Sequence, residues 1–90
     1  MVRPMTDDAI RTEIEALEQE ERRLRRDEEQ AAAAERDDVV EADARRLKEI
    51  RGRLAQLWDL LHQRKALRAS GGNPEDASLR SPGEIEGYLG

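Results

Sequence analysis

VEADARRLKEIRGRLAQLWDLL, residues 40–61, carries apolar side chains on one helical stripe: Val40, Leu47, Ile50, Leu54, Leu57 and Leu61, with Asp43 interrupting it. The steps alternate three and four residues, the spacing of a coiled-coil seam. Upstream, IRTEIEALEQEERRLRRDEEQA, residues 10–31, repeats that spacing with Ile10, Ile14, Leu17, Glu21, Leu24, Glu28 and Ala31. Paired in reverse, Ile10 with Leu61, Ile14 with Leu57 and so on to Ala31 with Val40, every pair of residue numbers adds to 71. This is the pattern of an antiparallel two-helix coiled-coil hairpin turning near 35–37.

Flanking charges choose between this register and its neighbours. Glu18 is expected to face Arg51, Glu20 to face Arg53, and Asp27 to face Arg46, with Arg11 beside Trp58. Shifting the turn half a heptad either way brings like charges together. Each exposed pair is worth only about 0.2–1 kcal/mol, but three favourable pairs against one or two clashes select a register.

Composition bounds the rest. The chain has 90 residues, no Phe, one Trp, one Tyr and 41% charged residues, which is too little apolar mass for a thick globular core. It has no cysteine, so disulfides and thiolate metal sites are excluded, and a reducing cytoplasm is the expected location. No apolar stretch reaches a membrane-spanning length. Residues 7–36 carry net charge −5 and residues 37–70 net +2, so the two helices complement each other. The overall charge of −5 repels phosphate backbones and argues against nucleic acid as a partner.

Boundary signals give the organisation. Thr6 is a helix cap followed by Asp7 and Asp8, and Asp38 with Glu41 forms a capping-box pattern. Ser70-Gly71-Gly72 is a stop signal. Helices are therefore expected over about 7–35 and 38–70, making a hairpin of residues 1–70. A polar linker over 71–80 leads to a short docking segment over 81–90. In that segment Ser81-Pro82-Gly83-Glu84 is a helix start, and Ile85, Tyr88 and Leu89 form one apolar face. Gly52, in the middle of the second helix, has no evident reason in the sequence and is expected to cost roughly 1 kcal/mol relative to Ala.

The run from Leu57-Trp58-Asp59-Leu60-Leu61 through Gly71-Gly72-Asn73-Pro74 to Glu86-Gly87-Tyr88-Leu89 resembles a family of small uncharacterised bacterial proteins, domain of unknown function 2630. Trp-Asp-Leu-Leu and Glu-Gly-Tyr-Leu are its specific elements. The resemblance implies that the tail belongs to the domain, and it brings no activity with it.

No catalytic constellation is visible. His62, the single histidine, lies on the outer face without a partner to activate, and the serines sit at helix ends and in the linker. The chain is read as non-enzymatic, with no catalytic residue, no cofactor, no metal and no small-molecule substrate. What stands out is apolar surface beyond the needs of a two-helix seam: Trp58, Leu60 and Leu67, with Ile85, Tyr88 and Leu89 in the tail. Either the tail folds back over Trp58, or two hairpins associate into a four-helix bundle. The function read from this is protein–protein interaction, as a homodimer. An alternative uses the acidic tip, Glu35, Asp37 and Asp38. A hairpin ending in acids is similar in outline to the transcript-cleavage factors that reach into RNA polymerase and present carboxylates to a magnesium ion.

The register has a direct test. Cysteines replacing Leu17 and Leu54, or Leu24 and Leu47, should crosslink within one chain under mild oxidation, read on a non-reducing gel, and cysteines at Leu17 and Leu61 should not.

Overall fold

The computed structural model describes residues 6–89, with side chains described through Ile85. The architecture is all-α. Two long helices, α1 (Asp7–Ala33) and α2 (Asp37–Ala69), pack against each other, and a single 3-10 turn at Pro74–Asp76 leads to a short helix, α3 (Pro82–Leu89). The molecule is a rod 55 Å long.

α1 begins where its cap dictates. The Thr6 hydroxyl accepts the Ala9 amide at 3.1 Å, and Asp7 and Asp8 occupy the first turn, at the positive end of the helix dipole.

The turn between the helices falls earlier than the sequence suggests, over residues 34–36. The Glu35 amide donates to the Ala32 carbonyl at 3.1 Å and the Arg36 amide to the Ala31 carbonyl at 2.8 Å, the two bonds of a Schellman ending. Arg36 then serves both helices, because its carbonyl accepts from Val39 and Val40, each at 3.1 Å, and so opens α2. Helix α1 therefore stops at Ala33, and Asp38 lies inside the first turn of α2 instead of capping it. Arg36 takes the cap position without a side-chain bond. The far end of α2 repeats the motif, with Gly71 bonding Arg68 at 3.3 Å and Gly72 bonding Leu67 at 2.7 Å. There the left-handed residue is Gly71, at φ +81°; at the hairpin turn it is Glu35, at φ +58°.

Burial follows the seam. Ile10, Ile14, Leu57, Leu60 and Leu61 form one cluster, with Leu17, Leu54 and Ala77 packed against it. Leu47, Ile50 and Ala31 continue the buried row toward the turn. Leu60 is 4% exposed although it stands outside a two-helix stripe. Ala77, from the linker, packs against the cluster that holds Leu60, and so adds a third wall that the heptad pattern does not contain.

The charged flanks keep the expected sign pattern but change partners. Arg46 forms a two-pronged pair with Glu20, at 2.7 and 2.9 Å, and Arg53 pairs with Glu13 at 2.8 Å. Each arginine thus reaches the glutamate one heptad farther from the turn than the residue expected to face it. Heptad-equivalent positions share a side of the helix, and a long arginine spans the diagonal; Asp27, one methylene shorter, is passed over. In the seam, Glu21 sits between Arg25 at 3.6 Å and Arg51 at 3.8 Å. Asp43 is half-buried, with its Oδ2 lacking a hydrogen-bond partner among the described residues.

Left-handed backbone costs a residue with a Cβ roughly 1–2 kcal/mol. Glu35→Gly is therefore expected to stabilise the hairpin by about 1 kcal/mol, read as a higher urea midpoint, whereas Glu35→Ile is expected to lower it.

Candidate functional site

The acidic tip is the first candidate. Glu35, Asp37 and Asp38 are all exposed at the turn, but each has a local role. Glu35 fills the left-handed position, and Asp37 and Asp38 stand in the first turn of α2, where negative charge favours the helix dipole. Among the described residues no three His, Cys, Asp or Glu side chains are grouped to hold a metal ion.

The second candidate is α2 itself, whose three sides do different things. One side is the seam. A second, spaced Gly52, Gln56, Asp59, Gln63, receives the tail. Gln63 donates to the Ser78 carbonyl at 2.8 Å and accepts the Ser78 amide at 3.3 Å, so its side-chain amide pairs with backbone as a strand would. Gln63 also donates to Asp59 at 2.7 Å, Gln56 donates to the Arg80 carbonyl at 3.0 Å, and Arg80 lies 3.7 Å from Asp59. At Gly52 a Cβ would sit 3.4 Å from the Pro82 ring, so the missing side chain leaves a seat for that ring. The contact is an ordinary van der Waals one and does not by itself require a glycine. Ser81 caps α3 by accepting the Glu84 amide at 3.2 Å, and Ile85 is buried at 8% exposure.

The third side carries Trp58, which is 48% exposed. Among the described residues the tail does not fold over it. With roughly 100° between successive residues, Trp58 lies more than a quarter-turn round the helix from the Gly52–Gln63 stripe, so a segment bound to that stripe leaves the indole in solvent. Among the other residues singled out, Leu67 is half-buried and sits beneath Gly72, where a Cβ would come within 3.2 Å of its Cδ2. The side chains of Tyr88 and Leu89 lie outside the described residues.

A residue that sequence reasoning missed holds the open end together. Arg64 is 8% exposed. It donates to Asp7 at 2.6 Å and to the Pro74 carbonyl at 3.2 Å, with Glu75 at 3.8 Å. Arg68 grips the other Asp7 oxygen. One guanidinium thus joins the start of α1, the end of α2 and the linker. The signal available in the sequence was its position: Arg64 lies three residues after Leu61 and so continues the buried side of α2.

No helix among the described residues is long and apolar enough to cross a membrane. The family described as Protein of unknown function (DUF2630) matches residues 6–90. One uncharacterized protein of Mycobacterium bovis and two from strains of Mycobacterium tuberculosis are each 46% identical over 48 residues, 53% of this chain and 55% of each relative. The chain therefore spans about half the length of the curated relatives it matches. No solved structure matches it.

The clamp makes stability depend on acid. Hydrogen bonds from Arg68 and then Arg64 hold the Asp7 carboxyl below its ordinary value near 3.8. Its contribution is complete above that value and is lost as pH falls through the lower, folded-state value. Asp7→Asn is expected to destabilise the protein at neutral pH, with the two curves converging at low pH in thermal melts. Arg64→Ala is expected to cost about 1–3 kcal/mol, because it leaves the Pro74 carbonyl without its donor and Asp7 held by Arg68 alone.

Proposed function

This chain belongs to the DUF2630 family, and we propose that it works as a non-enzymatic helical interaction module that self-associates as a homodimer through the Trp58 side of α2. The observation that carries this reading is the indole, 48% exposed on a two-helix scaffold whose leucines and isoleucine on α2 are buried or half-buried. Tryptophan is enriched among the residues that dominate interface energies, because burying it removes a large apolar area from water at small entropic cost.

The surroundings suit an interface centre. At helical spacing Trp58 is ringed by Arg51, His62 and Lys65, a polar rim about one aromatic anchor, with Ala55 on the side toward Gly52. The same surface is continuous with the half-buried Leu54. Two hairpins joined there bury area that one hairpin lacks and approach a four-helix bundle. The absence of cysteine from the sequence fits work in a reducing cytoplasm.

The reading that the tip acts on RNA polymerase is weaker, since Glu35, Asp37 and Asp38 are accounted for by the turn and the dipole. It predicts that Asp37→Asn with Asp38→Asn changes a polymerase activity assay.

Sedimentation tests the dimer. The wild type is expected to show a concentration-dependent mass and melting temperature, and Trp58→Ala is expected to be monomeric with its helical circular dichroism retained. A wild type that stays monomeric at every concentration overturns the proposal.

A further inference from the structure

Toward the turn from the point where the tail meets α2, the outer surface of the helix carries a groove of about 780 Å³. It is lined by Gly52 and Ala55 on α2, Pro82 and Ile85 on α3, and the cations Arg45 and Lys48, with one acid, Glu49, which is paired to Arg46 at 3.2 Å. The two cations are exposed and make no ion pair among the described residues. The arginines at the edges of the seam differ in this respect: Arg46, Arg51 and Arg53 are each engaged by a glutamate. An apolar floor beside two uncommitted positive charges is unusual on a chain of net charge −5.

We propose that this groove is a docking site for an acidic amphipathic helix presented by a protein partner. Residues 45–56 of α2 extend roughly 17 Å at 1.5 Å per residue, enough to lie along about three turns of a second helix. The volume is in the range of recognition clefts. Gly52 and Ala55, with no side chain and the smallest one, let a partner backbone come close, so apolar residues one turn apart on that helix can rest between α2 and α3. Acids flanking those anchors then meet Arg45 and Lys48, which gives orientation and speeds association.

A second copy of the chain does not supply such a helix. Its acidic helix is α1, whose outward positions Asp8, Arg11, Thr12, Glu15 and Gln19 offer no large apolar side chain. The large apolar residues exposed among the described residues are Trp58 and Leu79, one on the net-basic helix and the other in the linker.

The test uses the full chain and a synthetic helical peptide of about three turns, with Leu on one face at i, i+4 and i+7 and Glu on the other. Binding is expected to shift the amide resonances of Gly52 and Ile85 and to weaken as salt rises. Arg45→Gln with Lys48→Gln, both exposed and outside the seam, is expected to weaken it about tenfold. A peptide with Lys in place of Glu is expected not to bind. Unchanged affinity in the double variant, equal binding of the Lys peptide, or shifts confined to the Trp58 surface overturns the proposal. If the double variant instead abolishes self-association in sedimentation, the occupant is a second copy and the proposal also fails.

Discussion

The structure depends on where its apolar layers lie along the seam. Ile10, Ile14, Leu57 and Leu61 stack at the open end of the hairpin, whereas Glu21, Glu28 and Asp43 occupy the same stripe nearer the turn. Hydrophobic burial scales with apolar area removed from water, so cohesion is greatest far from the connection that joins the helices. An open end held only by a two-helix contact leaves one side of each apolar layer uncovered. The linker covers it: Ala77 packs against the cluster that contains Leu60, and Arg64 ties the Pro74 carbonyl to Asp7.

The buried arginine shows how a charge is accommodated in so thin a core. A guanidinium taken from water is costly unless its donors are used. Arg64 meets that condition with a carboxylate from α1 and a carbonyl from the linker, and Arg68 balances the second oxygen of the same carboxylate. The clamp also specifies. It works only when the first residue of α1, the end of α2 and the linker are all in place, so it favours this register over one displaced by a heptad.

The surface of α2 divides into sides with different surroundings. The seam is satisfied by α1 and the Gln56–Gln63 stripe by the tail, and each of these partners removes its side from the surface available to other proteins. The Trp58 side and the groove beside Gly52 remain, one centred on a single aromatic and the other on small residues with basic edges. They differ in chemistry, which is the physical basis for proposing self-association at one and the docking of an acidic helix at the other.

The sequence by itself determined the helical hairpin and the caps at Thr6 and Ser81, though not the cap expected at Asp38. Those features rest on spacing and local hydrogen bonding: a heptad stripe, Thr6 ahead of two aspartates, Ser81 ahead of Pro82. The resemblance carried by Trp-Asp-Leu-Leu and Glu-Gly-Tyr-Leu was legible in the same way. Tertiary structure alone decided the rest. The tight turn at Glu35 comes from closing two helices through Arg36, against the preference of a residue with a Cβ. The side of α2 on which the tail lies follows from polar side chains, Gln56, Asp59 and Gln63, bonding the backbone of a distant segment, and backbone groups carry no sequence signature. The packing of Pro82 beside Gly52 appears only in the assembled chain, and Trp58 was left in solvent because the tail met its hydrogen-bond partners elsewhere on the helix. Periodicity reports which side of a helix seeks cover; only the assembled chain shows which segment provides it.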